Sequence, residues 1–228
     1  MVDLTTSTQS DLADLVNLNS AKTGDVIATE FQSGGRGRLD RTFEAPPGSA
    51  LLFSFYVAPK RARTDWGFIS HLAALSMQQV ISRDLSSQVW LKWPNDILIS
   101  GLKVAGLLAQ ATDHGVIIGI GVNVAMTTEE LPVDTATSLA IIGSKNLDRN
   151  LILGSFLNRF ESNFKEWDKG EDFIGIYSKV CATLGRNVQV EVIGRENRTG
   201  VALAINSLGA LLLADGFEVN VGDVVHLR

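Results

Sequence analysis

Residues 92–108 read KWPNDILISGLKVAGLL, and the fold can be worked out from this stretch. Pro94-Asn95-Asp96 has the composition of a tight turn, and Gly101 marks a second turn between two apolar runs. Apolar runs separated by such short turns are typical of antiparallel strands. The pattern extends beyond the stretch on both sides. It predicts strands over residues 89–93, 96–100, 102–112 and 115–125.

The segments farther out show the patterns of helices and of two more strands. Residues 25–31 and 50–58 are predicted to be strands, because they are largely apolar and bounded by turn residues. Apolar residues recur at steps of three and four in residues 11–18, in residues 65–85 and from Asp148 onward, which predicts helices. Residues 172–184 are also predicted to be helical. Together these elements predict an α+β fold, with a mixed, mostly antiparallel sheet and helices packed on it.

The residues after Gly185 follow a different pattern. Val188, Val190 and Val192 alternate with polar residues, and turn residues recur at intervals of roughly ten residues. These turns are predicted at Gly194, Asn206-Ser207, Asp215-Gly216 and Gly222-Asp223. Short strands at this spacing predict a small β-barrel, so we divide the chain into residues 1–182 and 183–228. A module of about 45 residues buries little core alone, and we expect it to dock on the first part.

The composition is that of a globular protein and excludes several classes of function. The 228 residues are 45% hydrophobic and 20% charged, which argues against general disorder. The formal charge is 20 − 25 = −5, unlike that of a generic nucleic-acid coat. Cys181 is the only cysteine, so neither an internal disulfide nor a zinc site is expected. The N-terminus lacks a signal-peptide pattern and no apolar run reaches the roughly 20 residues of a membrane span, so we expect a cytoplasmic protein that does not enter the membrane.

Residues 34–41 read GGRGRLDR and form a candidate anion site. Glycine lets backbone N–H groups turn toward an anion, and the arginine guanidinium is a bidentate donor to phosphate or carboxylate. The segment lies in a predicted loop over residues 32–49. It is not a Walker loop, because no Lys-Ser/Thr pair follows a GxxxxG spacing. It is not a dinucleotide-binding fingerprint, because its glycines do not open a helix. A solvated loop or an RNA contact of the arginine-glycine type is the alternative.

Lys103 and Asp96 form a second candidate pair. Antiparallel pairing of the strands around Gly101 would return Lys103 to the turn that contains Asn95 and Asp96. A cation there could contact a carboxylate or an α-phosphate, and Gly106 would let a ligand approach the strand closely. The alternative is an exposed lysine beside a purely structural turn.

The third candidate is residues 119–124, GIGVNV. Two glycines inside a strand weaken it, which indicates that another group packs close to the backbone at Gly119 and Gly121. Asn123 can read an amide or a purine edge, since its side chain both donates and accepts hydrogen bonds. A bulge in a buried strand is the alternative. His71 and Cys181 are expected to be core residues.

Taken in order, GRGRLDRTF, KWPNDILISGLKVAGLL and GIGVNV resemble the biotin protein ligases. The family pattern is GRGRxxRxW, then KWPND with a downstream lysine, then a Gly-x-Gly-x-Asn segment. The resemblance extends to Ser7-Thr8-Gln9, where the family has Ser-Thr-Asn, to Gln32, and to the C-terminal module. It implies a biotin–lipoyl ligase catalytic fold, like that of class II synthetases, in residues 1–182. It also implies an SH3-like barrel in residues 183–228.

The resemblance implies a two-step reaction with ATP, Mg²⁺ and biotin. Biotin and ATP give biotinyl-5′-AMP and pyrophosphate, and a lysine of a biotin carboxyl carrier protein domain then takes the biotinyl group and releases AMP. It implies catalytic roles for Lys103, Arg38 and Asp96, and Asp96 would orient the incoming lysine or help to hold the metal. The implied biotin site is Ser7, Thr8, Gln9, Gln32, Arg36, Gly37, Arg38 and Lys103. The implied nucleotide site is Gly35, Arg36, Arg38, Arg41, Phe43, Asn95 and Asn123. The metal ligands are not specified.

Two departures and two alternatives bear on this interpretation. Phe43 replaces the family tryptophan and loses its indole N–H. The match begins within the first ten residues, so we expect no helix-turn-helix domain and no specific DNA binding. A homodimer is compatible with the family.

A lipoyl or octanoyl transferase is one alternative function, although the glycine segment of those families differs. A non-catalytic nucleic-acid binder is the other, and the net negative charge disfavours it.

Overall fold

The computed structural model describes residues 2–38, 41–191 and 196–227. Its first sheet has seven strands in the order β1-β2-β3-β7-β6-β5-β4. The pair β1–β2 is parallel and the other neighbours are antiparallel, so the predicted mixed, mostly antiparallel sheet is confirmed. The strands are β1 (Val2–Thr5), β2 (Val26–Gln32), β3 (Ala50–Val57), β4 (Val89–Lys92), β5 (Asp96–Ile99), β6 (Leu102–Ala111) and β7 (Val116–Asn123).

Helices cover both faces of this sheet. They are α1 (Thr8–Asn17), α2 (Ile69–Ile81), α3 (Arg149–Asp168) and α4 (Ile174–Lys179). The large core lies between the sheet and the pair α2 and α3, where Phe53 and Phe55 pack edge-on against Phe156. Helix α1 packs on the opposite face through Leu12, against Tyr56 and other buried side chains. That second face also carries the site described below.

Two predicted helices differ from the observed ones. The helix predicted over residues 65–85 is α2 flanked by 3₁₀ turns, at Arg63–Phe68 and Ser82–Asp84. The helix predicted over residues 172–184 is wrong beyond the short α4. There the backbone leaves the helix to bond the edge strand β4, with Leu91 N–H donating to Val180 O at 2.8 Å and Ala182 N–H donating to Leu91 O at 2.7 Å.

The C-terminal residues form a second, antiparallel sheet in the order β11-β10-β9-β8-β12. Its strands are β8 (Asn187–Glu191), β9 (Arg198–Ile205), β10 (Leu211–Leu213), β11 (Glu218–Val219) and β12 (Asp223–His226). Closure of these strands into a barrel and the boundary at residue 183 stay predictions. The predicted strand position Val192 and the turn at Gly194 lie outside the described residues.

The second sheet docks on the first part of the chain, as its small size predicted. The buried indole of Trp93 donates through Nε1 to the carbonyl of Gly209 at 2.9 Å, and Trp93 N–H donates to Thr183 Oγ1 at 3.0 Å. Apolar residues of both sheets belong to one continuous core. Among the described residues, none of the helices has both the length and the apolar character needed to cross a bilayer.

Candidate active site

Three glycines create a flat floor on the α1 face of the first sheet. Gly119 on β7 lies between Ser54 on β3 and Leu108 on β6. Two residues along β7, Gly121 lies directly opposite Gly106 on β6. Side chains two residues apart share one face of a strand, so Gly119 and Gly121 lie on the same face about 6.8 Å apart. Each of them, with its neighbours on the adjacent strands, defines one row across the sheet, which we call the Gly119 row and the Gly121 row.

Each glycine row is covered by a side chain from another element. A Cβ atom on Gly119 would lie 2.7 Å from Gln9 Oε1, and one on Gly121 would lie 2.6 Å from Cζ of Phe43. The expectation that groups pack close to this backbone is confirmed. The alternative of a bulge is wrong, because β7 pairs with β3 and β6 without a shift of register.

An uncharged polar cluster surrounds the Gly119 row at the start of α1. Thr8 N–H and Thr8 Oγ1–H donate to Gln32 Oε1 at 2.8 and 3.1 Å, and Thr8 Oγ1 lies 2.8 Å from Ser54 Oγ. Gln9 is only 4% exposed, and its Nε2 has no hydrogen-bond partner among the described residues. A buried donor without a partner is costly, so this end of the site is suited to a ligand carbonyl.

A charged pair covers the Gly121 row on its other side. Lys103 Nζ lies 2.6 Å from Asp96 Oδ1, but its approach is poorly aligned for a hydrogen bond, so we describe the contact as an ion pair. A Cβ on Gly106 would lie 3.0 Å from Lys103 Nζ, which explains the glycine. The return of Lys103 to the turn is therefore confirmed. Its backbone is fixed by the loop after β7, because Lys103 N–H donates to Thr135 O at 2.8 Å.

Residues 34–41, here called the arginine loop, form a closed turn over the part of the loop that the structure describes. Phe43 N–H donates to Gly35 O at 3.1 Å and Gly37 N–H donates to Arg41 O at 2.7 Å. A Cβ on Gly35 would collide with the Phe43 carbonyl, so this glycine is needed where the two arms of the loop meet. The loop carries Arg36 and two further arginines over the floor.

Arg38 and Arg41 both contact one carboxylate of the second sheet. Arg38 Nε lies 3.3 Å from Asp223 Oδ1, and Arg41 Nη1 lies 2.8 Å from Asp223 Oδ2. Arg38 Nη2 also donates to Gly222 O at 2.9 Å. The sequence predicts only a turn at Gly222-Asp223, so this role of Asp223 is additional to the prediction. No local signal could have found it, since the partners are 185 residues apart in the chain.

These groups line one cavity of about 220 Å³. Of the fourteen site residues implied by the resemblance, all except Gly35 and Asn123 line it. Asn123 is buried and donates from Nδ2 to Thr137 O at 2.9 Å, so its place near the adenine stays a prediction. The Asn95 side chain also lines the cavity, although its Nδ2 donates to Leu107 O at 2.7 Å. The wall also contains Lys92 and Trp93 of the KWPND segment, together with Ser54, Glu191 and Asp223, which the sequence does not indicate as site residues.

His71 and Cys181 lie in the core, as expected, and neither lines the cavity. Burial lowers the pKa of His71 to about 4, which keeps the imidazole neutral. Neither ring nitrogen of His71 has a hydrogen-bond partner among the described residues. Burial also raises the pKa of the Cys181 thiol, so this cysteine is not an activated nucleophile.

Comparison with known proteins agrees with this geometry. Residues 1–123 match the model of the Biotin/lipoate A/B protein ligase family. The chain is 34% identical over 239 residues to the biotin--[acetyl-CoA-carboxylase] ligase of Mycobacterium tuberculosis, covering 100% of this chain and 88% of that protein. It is 32% identical over 224 residues to the bifunctional ligase/repressor BirA of Bacillus subtilis, covering 92% and 67%.

Solved structures show the same fold over the whole chain. The biotin protein ligase from Aquifex aeolicus in complex with biotin and ATP superposes with a TM-score of 0.83 at 27% identity, covering 100% of this chain and 97% of that one. The chain therefore belongs to the biotin/lipoate A/B protein ligase family. Within that family it is an enzyme of the biotin–protein ligase type, and the predicted fold class is confirmed.

Proposed function

We propose that this chain attaches biotin, through biotinyl-5′-AMP, to a specific lysine of a biotin carboxyl carrier protein domain. The observation that carries the proposal is the division of one cavity into two ends over a glycine floor. An uncharged polar cluster with the unpaired Gln9 Nε2 lies at one end. Lys103 lies at the other end, against Gly106, and Arg36 and Arg38 add positive charge to the same cavity.

The polar end suits the ureido ring of biotin. A ureido group carries one carbonyl acceptor and two N–H donors, and buried hydroxyl and amide side chains can match all three. Ser7, Thr8 and Gln9 are at most 4% exposed, so their hydrogen bonds would form away from water. With the ring held there, the carboxylate of the valeryl chain would extend toward Lys103.

In the first step, a biotin carboxylate oxygen attacks the α-phosphorus of ATP. A carbonyl-carbon–oxygen–phosphorus linkage forms, the bond from the α-phosphorus to the bridging oxygen breaks, and pyrophosphate leaves with that electron pair. The step brings one anion to another, so preorganised cations lower its barrier. Arg36, Arg38 and Lys103 line the cavity and would do this through bidentate and single contacts to the α-phosphate.

Asp96 is suited to hold Mg²⁺ together with the phosphates of ATP. Mg²⁺ is usually bound by one or two carboxylates plus substrate phosphates. Asp96 Oδ1 forms an ion pair with Lys103 but accepts no hydrogen bond from the described residues, so it has room for a further positive ligand. No group of three or more acidic, histidine or cysteine side chains that could form an all-protein metal site occurs in the described part of the chain. When bound, Mg²⁺ would supply charge neutralisation for the departing pyrophosphate.

In the second step, the carrier lysine attacks the carbonyl carbon of the mixed anhydride. A C–N bond forms, the bond to the phosphate oxygen breaks, AMP leaves, and the amine loses a proton. Asp96 would orient the lysine by charge while it is an ammonium, and that ammonium releases one proton to solvent before the neutral amine attacks. A cytoplasmic location and a homodimer stay predictions.

Mass spectrometry of a carrier domain after incubation with ATP, Mg²⁺ and biotin tests the function. We expect a gain of one biotinyl group with the wild type, a strongly reduced gain with Lys103→Ala, and an unchanged gain with the control Lys165→Ala on α3. A full gain with Lys103→Ala would remove the role of Lys103 and leave the function intact. A gain only with lipoate or octanoate would instead indicate the other acyl ligases of the family.

A further inference from the structure

Two adjacent residues of the second sheet, Gly222 and Asp223, contact the arginine loop. The side chain of Asp223 is 13% exposed and contacts two guanidinium groups, those of Arg38 (23% exposed) and Arg41 (65% exposed). The carbonyl of Gly222 accepts a further hydrogen bond from Arg38. The strand end at residues 222–223 therefore accepts two hydrogen bonds from Arg38 and forms an ion pair with Arg41.

The placement of this carboxylate is unusual for a site that takes a polyphosphate. Asp223 lies opposite Glu191 in the β12–β8 ladder, and both line the cavity. Two like charges directly opposite each other weaken a strand pair. The two arginines that contact Asp223 offset part of that repulsion.

A nucleotide would compete with Asp223 for the same donors. Arginine binds carboxylate and phosphate with the same planar fork, so a guanidinium nitrogen that serves Asp223 cannot serve a phosphate oxygen in the same direction. The triphosphate would also be repelled by Asp223 and Glu191 if both stayed in place without the arginines.

We propose that Asp223 acts as a latch that mimics phosphate: its carboxylate pairs with the guanidinium groups of Arg38 and Arg41, and the triphosphate of ATP displaces it from them. This inference rests on the proposed function. The second sheet would then lower the affinity for the nucleotide, because each binding event must first break the contacts between the loop and β12.

The first consequence is for ATP affinity. Removing the charge of Asp223 should tighten ATP binding on the order of three- to tenfold, the effect expected when a partly exposed carboxylate shared by two arginines no longer competes. The second consequence is for the free loop. Trypsin cleaves after arginine, so cleavage after Arg36, Arg38 or Arg41 should be faster when the latch is missing.

The test compares Asp223→Asn with a matched control, Asp215→Asn. Asp215 also pairs with an arginine of the second sheet, Arg198, at 2.7 Å, but neither residue lines the cavity. We would measure ATP–Mg²⁺ binding by calorimetry without biotin, so that no adenylate forms, and tryptic cleavage of the ligand-free loop. Tighter binding and faster cleavage in Asp223→Asn alone would support the latch. Equal or weaker ATP binding in Asp223→Asn would overturn it.

A second measurement does not depend on how the variant folds. In the wild type, ATP should speed hydrogen exchange at the amides of Asp223 and Val224, because the loop leaves β12 when the nucleotide binds. Slower or unchanged exchange at these amides would overturn the latch. Failure of both the wild type and Asp223→Asn to bind ATP would count against the proposed function, whereas wild-type ATP binding that Asp223→Asn does not improve counts against the latch alone.

Discussion

Replacing Gly121 by alanine should force the ring of Phe43 off the floor of the site. The added Cβ would lie 2.6 Å from Cζ and 2.7 Å from Cε2 of that ring. Carbon atoms pack comfortably at about 3.5 Å or more, so the ring must retreat by about 3.5 − 2.6 = 0.9 Å. Backbone strain adds nothing, because Gly121 lies in a regular ladder between Leu52 and Gly106.

The size of the effect follows from what holds the ring in place. Phe43 packs on a small buried cluster that includes Ala50, Leu52 and Met126, so a retreat loses contacts as well as relieving the clash. Overpacking a well-filled site costs typically about 1–3 kcal/mol. Phe43 belongs to a loop that can adjust, so we expect the lower part of that range, about 1–2 kcal/mol.

Urea unfolding with a two-state fit measures this loss of stability as a lower midpoint concentration of urea at an unchanged m value. Gly154→Ala on α3 is the control, since its Cβ meets nothing within 4 Å and the helix should gain about 0.5–1 kcal/mol. Gly121→Ala in a Phe43→Ala background should cost much less than in the wild type. An equal cost in both backgrounds, or none in the wild type, would refute the packing of Phe43 on Gly121.

Three further predictions use other parts of the structure. Gly119→Ala should raise the KM for biotin more than that for ATP in biotin-dependent pyrophosphate exchange, because the new Cβ would lie 2.7 Å from Gln9 Oε1; equal rises would contradict this. Asp148→Ala should cost about 1 kcal/mol in urea unfolding and leave ligase activity unchanged, because the carboxylate caps α3 by accepting two backbone N–H groups; wild-type stability would be inconsistent with that role. Burial lowers the pKa of His71 from 6.5 to about 4. Between pH 6.5 and pH 4 the unfolded chain therefore binds a proton at His71 that the folded chain does not, and the free energy of unfolding should fall by up to about 3 kcal/mol as the pH drops through this range. His71→Leu should flatten that pH dependence, and a curve as steep as that of the wild type would argue against the neutral imidazole.

The strands that form the floor were predictable because their signals are local. The turns at Pro94-Asn95-Asp96 and at Gly101 lie within the segments they separate, and β4 to β7 begin and end within a few residues of the prediction. The helix predicted over residues 172–184 failed for the opposite reason. Its last residues bond Leu91 on β4, and that partner is some ninety positions away in the chain.

The same distinction applies to the site. Glycines in an apolar strand indicate a close approach, and the sequence predicts that approach at Gly119 and Gly121. The sequence does not identify the approaching groups from the glycines themselves, because Gln9 and Phe43 lie much earlier in the chain. It also could not decide between a bulge and a regular ladder, since both leave the same residues in the sequence.

The second sheet shows why a site can extend beyond the motifs that identify it. From the sequence, residues 183–228 needed a partner because a module of this size buries too little core, and the contact of Trp93 with Gly209 meets that need. Core packing alone would place no charge at the cavity. Yet the strand that follows Gly222 begins with a carboxylate against two arginines, and that carboxylate faces a like charge at Glu191. An arrangement that weakens the second sheet by itself, and whose repulsion the arginine loop offsets, fits control of the loop better than the fold of the sheet.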